Sequence, residues 1–544
     1  MTRNRILSSI SFFLILNQSI AQYKNNIIPA PVQIAAIKSA AVALNARTVL
    51  HYDKGFEAQA AYLSNQLQQQ TGITLTLRER SLNNNLPVAG IVLHYDAVAI
   101  TRTEMYQLKS GNNRVLITAK DTRGFVNAIQ TLLQLIPFTP QSTVTVPAVA
   151  ISDYPQFSYR GMHLDVVRHF FPVAYIKKYI DYLTFHKFNT FHWHLTDDQG
   201  WRFETSSYPK LNAIASWRDS TLIGHFKDAP ARYDGQRYGG YYTKTEIRDV
   251  VAYANVRGIT IIPELDIPGH SRAAIAAYPQ LSTKPDTTWN VATTWGMYNR
   301  QNNVLAPNDF TFQFLKDVFK ELTELFPSTY IHVGGDECSK IWWKQDPATQ
   351  QFMRRNNIKN EKALETYFIE YIATYLKQLN RKAIGWHEIA EGDLDTKTLI
   401  MNWADEKQAI ASAKKGFDII MTPGKPFYFD HFQSKDPNDS LAIAGYNSMD
   451  AVYNYEVIPA AIRKANLAHK IIGGQANVWT EYMGSTTKVD YMVLPRMTAL
   501  SENLWSKTKN YPDFVRRLEQ YLIPRYQYWG SSYFKGFRVW TKEK

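Results

Sequence analysis

The chain has 544 residues, 45% of them hydrophobic and 20% charged. That balance excludes disorder over the whole length, and the lack of an internal period excludes coiled-coil and repeat architectures. Net charge is +13, but the basic residues are scattered and no five-residue Lys/Arg run occurs, so no nucleic-acid partner is expected.

The N-terminal residues 1–21 carry Arg3 and Arg5, a mostly apolar stretch at 6–16, and small residues at Ser19 and Ala21. This order predicts a secretory signal cut before Gln22, with an apolar part too short to span a bilayer. The expected location is secreted or periplasmic. No later run of 18 apolar residues occurs, so no membrane span is predicted.

Residues 22–150 read as a small α+β domain. Stretches rich in β-formers at 48–52, 90–95 and 114–118 alternate with helix-like stretches at 55–71 and 122–136. In the second of these, Phe125, Ile129, Leu132, Leu133 and Ile136 recur at helical spacing. No acid–base constellation stands out, so packing and support are the expected roles.

Asp153-Tyr154-Pro155 marks a boundary where the pattern changes, and 151–506 alternates strands with helices. Strands are predicted at 159–165, 190–195, 260–265, 330–333, 383–386, 399–403, 418–421 and 474–479. Helices are predicted between most of them, at 173–186, 244–257, 310–325, 362–379 and 406–415. Eight such units predict an α/β fold of the (β/α)8 TIM-barrel type. The rival doubly wound sheet lacks a glycine-rich phosphate loop after its first strand. Residues 507–544 hold Tyr, Trp and basic residues without a catalytic pattern and are expected to pack on the barrel.

The polar residues fall at the strand ends. They include Asp165, His192 to Asp198, Glu264 to His270, His332 to Glu337, Trp386 to Glu388, Trp403 to Asp405, Tyr428 to Asp430 and Trp479 to Glu481. Buried strand interiors avoid unpaired charge, so these residues mark the barrel mouth, where such folds keep their sites. In Asp336-Glu337 two carboxyl groups leave the backbone in different directions: one can orient a group while the other moves a proton, as glycoside hydrolysis requires. Trp386, Trp403 and Trp479 end three strands and offer flat faces for a sugar ring; core packing is the bland account of each.

Histidines 192, 194, 270, 332 and 387 stand near these acids and also fit a metal hydrolase. No HExxH helix supports a metal, and the single cysteine, Cys338, excludes a Cys/His zinc site of the usual spacing and any intrachain disulfide. His192 and His194 share one face of their strand, which equally suits a buried hydrogen-bonded pair.

With these residues in view the chain resembles the family 20 glycoside hydrolases, the β-N-acetylhexosaminidases. The motif that carries the resemblance is His332-Val333-Gly334-Gly335-Asp336-Glu337. Supporting it are Arg160-Gly161 with Asp165, the run from His192 to Arg202, the run from Pro263 to Ser271, Gly385-Trp386-His387-Glu388, Tyr428 with Asp430, and Trp479-Thr480-Glu481. Gly124-Phe125 and Gln130-Thr131-Leu132 extend it to the N-terminal domain.

The resemblance implies an exo-acting, retaining enzyme that removes terminal GlcNAc or GalNAc by substrate-assisted catalysis, an exception to the two-carboxylate scheme. Glu337 is implied as the general acid and later base. Asp336 is implied to orient the substrate's 2-acetamido group and steady an oxazolinium intermediate, the substrate's own carbonyl oxygen being the nucleophile. Tyr428 would bond the acetamido oxygen, and Trp386, Trp403 and Trp479 would wall the pocket. Arg160, Asp430 and Glu481 would hold sugar hydroxyls. Asp197 and His270 would support the acid, with Asp198 the alternative to Asp197 and with His332 and Asp266 behind them. No metal or cofactor is implied, and the partner is a glycan ending in N-acetylhexosamine. The loops 218–240 and 285–303 are expected to shape the rim and set which aglycone fits. Three other readings stand beside this one: a disaccharide-releasing member with an enlarged pocket beside Arg160, a glycan-binding protein without catalysis, and a metal hydrolase.

Overall fold

The computed structural model of the protein describes residues 25–80, 85–392 and 394–537. The expected signal segment lies outside them. The chain divides into two compact units, one through Tyr154 and the other from Pro155.

The first unit is built on a seven-stranded sheet. Its order is Gln33–Ala36, Val149–Asp153, Tyr106–Gly111, Arg114–Ala119, Gly90–Tyr95, Val49–Asp53 and Thr76–Arg80. Helices Glu57–Thr71 and Thr122–Leu135 bury one face each, and Asp121 caps the second by accepting from the Gly124 amide. Val149–Asp153 pairs antiparallel on both of its edges. Those hydrogen bonds bind it to this sheet, so the division falls at Tyr154/Pro155 and not at residue 150.

The second unit is a closed barrel of eight strands. In order they are Tyr159–Asp165, Thr190–His194, Thr260–Ile267, Tyr330–Gly334, Lys382–Trp386, Leu399–Asn402, Asp418–Met421 and Ile471–Ala476. Each neighbouring pair is parallel, and the eighth strand closes on the first. Gly473 permits that closure: a Cβ there would meet the Tyr159 carbonyl oxygen at 1.8 Å. The eighth strand therefore runs earlier than the expected 474–479, and Trp479 stands beyond it in a loop.

Helices Val173–Phe185, Lys244–Val256, Asp309–Leu325, Glu361–Gln378 and Glu406–Lys414 surround the barrel. The last four start on side chains that accept from free backbone amides: a Thr243–Glu246 capping box, Asn308, Asn360 and Asp405. Tyr511–Arg517 and Ile523–Tyr528 form the C-terminal segment. Arg517 pairs with Glu502, and the Tyr182 hydroxyl bonds Ser531, which fastens this segment to two barrel helices. Among the described residues, no helix is long and apolar enough to cross a membrane.

The barrel interior combines apolar and polar side chains. Tyr159, Ile262, Ile384, Leu399, Met401 and Ile420 form an apolar cluster. Side-chain alternation along the third strand then brings Glu264 and Asp266 onto the face of Ile262, nearer the mouth. There His163, His192, His194 and His332 join Glu264, all 0% exposed.

Candidate active site

A cavity of about 370 Å³ opens at the C-terminal ends of the strands. Each strand ends in a turn that its own sequence shapes. After the first strand, Asp165 accepts from the amides of Val167 and Arg168 and so folds the chain back to present Arg168. After the second, a two-residue pairing of Thr196–Asp197 with Gly200–Trp201 projects Asp197 and Asp198. After the third, His270 adopts a positive φ of 47°.

The fourth turn is the most constrained. Gly334 and Gly335 have φ of 65° and 90°, and Glu337 follows at 43°. A Cβ on Gly334 would lie 1.6 Å from Asp266 Oδ1, and one on Gly335 would lie 2.2 Å from an Ile389 methyl. Only glycines fit, and the chain bends sharply enough to aim two consecutive carboxyl groups at the cavity. Their environments differ: the Asp336 side chain is 14% exposed and the Glu337 side chain 50%.

Burial pushes the Asp336 carboxyl up to about 8, against the pull of His270. Burial and Asp336 together hold Asp266 well above the usual carboxylate range. His270 is the cation among these acids. Its Nδ1 is 3.1 Å from Asp197 Oδ1 and 3.5 Å from Asp198 Oδ2, while its Nε2 faces Glu337 Oε2 at 3.7 Å and Asp336 Oδ2 at 3.9 Å. Burial opposes its charge, but Asp197 and Asp198 outweigh burial and keep its pKa well above the ordinary value. Asp197 makes the closer contact; Asp198 instead holds the Asn303 amide and the Arg272 backbone.

On another wall Arg168 meets Asp197 at 2.7 Å, Asp165 at 3.2 Å and Glu481 at 3.9 Å, and lies over the Trp479 ring. Residues 427–430 are zipped to the loop after the eighth strand through backbone bonds between Phe429, Phe427 and Asn477. This sets Tyr428 and Asp430 opposite Trp479 and Glu481. Burial, then Asp430 and Asp336, keep the Tyr428 hydroxyl protonated well beyond its usual range. Burial and Glu481 likewise raise Asp430, and burial raises Glu481. Asp336 Oδ1, Asp430 Oδ1 and Glu481 Oε2 are buried with no hydrogen-bond partner among the described residues. Such acceptors are costly unless a ligand donates to them, and the hydroxyl and amide groups of an amido sugar are donors of that kind.

The structure thus gathers Asp336, Glu337, Asp197, His270, Trp403, Tyr428, Asp430, Trp479 and Glu481 around one cavity. Two expected residues are placed elsewhere. Arg160 lies at the start of the first strand, away from the mouth, where its guanidinium donates to the Lys187 and Phe157 carbonyls and covers the Trp505 ring. Arg168, past the other end of that strand, is the arginine of the cavity. Trp386 is 0% exposed and lies beneath the wall, its indole N–H donating to Glu264. It packs at 5.9 Å from Trp479.

Arg168 was legible in principle, since parallel strands point their C-terminal ends at the site. Trp295 and Phe226 also line the cavity, one from each loop expected at the rim. The loop of Phe226 is strapped down where His225 stacks on Tyr482 and meets the Ile443 carbonyl.

Among the described residues, four groups of side chains are close enough to hold a cation: His163–His194–Glu264, His192–Glu264–His332, Asp197–Asp198–His270 and Asp266–His270–Asp336. In the two built on Glu264, His194 and His332 turn a ring nitrogen onto its carboxylate at 2.5 and 2.8 Å.

The model of the glycosyl hydrolase family 20 catalytic domain matches residues 157–508, and that of family 20 domain 2 matches residues 24–154. A β-hexosaminidase of Porphyromonas gingivalis is 37% identical over 505 residues, covering 91% of this chain and 62% of the relative. A β-hexosaminidase of Vibrio furnissii is 39% identical over 402 residues, covering 73% and 64%. The chain thus spans less than two thirds of the length of either relative. The crystal structure of a family 20 exo-β-N-acetylglucosaminidase of Vibrio harveyi, in complex with N-acetylglucosamine, superposes with a TM-score of 0.82 at 31% identity, covering 94% of this chain and 79% of that one.

Proposed function

The chain belongs to glycosyl hydrolase family 20, and from that membership we propose that it is an exo-acting, retaining β-N-acetylhexosaminidase. The observation that carries the reading is the Asp336–Glu337 turn: one carboxyl is buried with an unpartnered oxygen, and its neighbour is half exposed over the same cavity.

Glu337 protonates the glycosidic oxygen as it leaves and later takes a proton from the attacking water. Exposure suits this role, because leaving group and water both arrive from the open side. Asp336 receives the acetamido N–H and turns the carbonyl oxygen toward the anomeric carbon. The positive charge that develops on the resulting oxazolinium ring favours ionised Asp336, so the group is most stabilising at that step. Tyr428 donates its hydroxyl to the acetamido oxygen, and Trp403 and Trp479 flank the ring. Arg168, Asp430 and Glu481 take the hydroxyls at the closed end, which favours a terminal sugar over an internal one. The family 20 hexosaminidases among the relatives and solved structures support this substrate class. The N-terminal residues 1–21 support export, to the periplasm or outside the cell.

The test compares an aryl β-N-acetylglucosaminide with the matching β-glucoside, which differ only at the 2-acetamido group. Cleavage of the first alone, with the β-anomer as first product by NMR, is the expected result. Cleavage of both would overturn the assistance by the substrate, and release of the α-anomer would overturn retention.

A further inference from the structure

Glu264 lies inside the barrel, 0% exposed, where a lone carboxylate is costly. Its Oε1 is 2.8 Å from His332 Nδ1 and accepts from the Trp386 indole at 3.0 Å. Its Oε2 is 2.5 Å from His194 Nδ1 and 3.0 Å from His192 Nε2. His194 Nε2 in turn meets Asp197 Oδ2 at 2.9 Å. Both nitrogens of His194 thus face carboxylate oxygens. A neutral imidazole has one donor, so only the imidazolium satisfies both contacts.

Asp197 passes the arrangement upward. Oδ2 also meets Arg168 at 2.7 Å, while Oδ1 accepts from the Asp198 amide at 2.6 Å and faces His270 Nδ1 at 3.1 Å. His270 then presents Nε2 to Asp336 and Glu337. From Glu264 through His194, Asp197 and His270, no side chain is more than 11% exposed.

We infer that Glu264 and His194 are positioning residues for the acid–base pair: Glu264 fixes the His194 ring through Nδ1, His194 and Arg168 fix the orientation of Asp197, and Asp197 aims His270 at Asp336 and Glu337. The inference deepens the hydrolase reading above and rests on it. On the other oxygen of Glu264, His332 Nδ1 lies at 2.8 Å and also accepts from the Gly334 amide. Burial pushes His192 down to about 4 and His163 well below its usual value, so both stay neutral beside Glu264. Asp198 shares His270 Nδ1, and Asp266 lies near His270. Asp165 and Glu481 share Arg168, and Glu388 repels Asp336.

The sign of the effect follows. Glu264 acts on Asp336 as a like charge. In a Glu264→Gln variant Asp197 still holds His194 protonated, so one buried negative charge is lost. The carboxyl groups above ionise more readily, and the activity profile moves to lower pH.

The experiment measures kcat and KM on the aryl β-N-acetylglucosaminide across pH for the wild type, for Glu264→Gln and for the double variant Glu264→Gln/His194→Gln. Glu264→Gln is expected to lower kcat roughly tenfold or more, with KM within about twofold, and to shift the profile down by about 0.5 unit. The double variant replaces the ion pair by two amides and removes the unmatched charge. It is expected to regain any thermal stability lost by the single variant while kcat stays low. A folded Glu264→Gln with wild-type kcat and profile would overturn the inference. So would a double variant with wild-type kcat, or losses shared equally by kcat and KM without a pH shift. In those cases the wild type still turns over and the hydrolase reading stands. A wild type that leaves the substrate intact removes both.

Discussion

Arg160 stands near the start of the strand Tyr159–Asp165 and Arg168 just past its end, and their side chains serve opposite ends of the barrel. Arg160 is 1% exposed and spends its guanidinium on backbone carbonyls. Arg168 is ion-paired to Asp197 and lines the cavity. Arg168→Ala is therefore expected to lower kcat/KM by roughly a hundredfold or more, since a charged hydrogen bond to substrate and the partner of Asp197 are both lost. Arg160→Ala is expected to leave kcat/KM of the folded enzyme within about threefold but to cost about 2–4 kcal/mol of stability through orphaned carbonyls. Urea titration beside kinetics separates the two. A catalytic loss confined to Arg160→Ala would reverse the assignment.

The barrel was legible because its signals are local: strand runs, capping residues and charged strand ends all sit within a few residues of one another. That Asp336-Glu337, Tyr428, Asp430 and Glu481 share the barrel mouth was legible for the same reason, since charge is tolerated at a strand end and not within. Three-dimensional facts were not legible. Arg160 sits in a striking local pattern, but strand polarity, not pattern, decides which end of the barrel it serves. Trp386 ends its strand as Trp403 follows the next one, yet Glu264 draws the Trp386 indole inward and hides it. The links from His194 to Asp197 and from Asp197 to His270 depend on side-chain direction, which spacing leaves open.

Glu337→Gln separates protonation from binding. The side chain is half exposed and faces His270 Nε2 at 3.7 Å. With poor leaving groups the loss in kcat is expected to be about 10²–10⁴, the range that general acids supply. With a dinitrophenyl leaving group, which needs no proton, it is expected to stay within about tenfold. A plot of rate against leaving-group pKa reads this directly: a steeper slope for the variant supports the acid role, and parallel lines would count against it.

Asp336 ties activity to stability. Burial raises its folded pKa to about 8, above the ordinary carboxylate value near 3.9. Between those values the folded state keeps a proton that the unfolded state has lost. Stability from this group is thus fully present below about pH 4 and is lost as pH rises through about 8. Asp336→Asn has no such proton to lose. The variant is expected to lose turnover of acetamido substrates while its Tm rises relative to wild type, the gap widening from pH 4 to pH 8. A gap that narrows over that range would show that Asp336 is ionised in the resting protein.

Trp386 and Trp403 offer a last contrast. Trp403 lines the cavity and is held by an indole bond to Glu388 at 3.2 Å. Trp386 is sealed beneath and donates to Glu264 at 3.0 Å. Trp403→Phe removes part of a ring face that a sugar would lie on, so KM is expected to rise roughly threefold to tenfold, the scale of one aromatic contact. Trp386→Phe removes a donor from a buried carboxylate and leaves a void. It is expected to cost about 2–4 kcal/mol in stability while KM moves less than about twofold. Thermal melts and KM on the aryl substrate decide the matter. A raised KM with unchanged Tm in Trp386→Phe would place that indole in the cavity wall, and the Glu264 contact would then be incidental to its position.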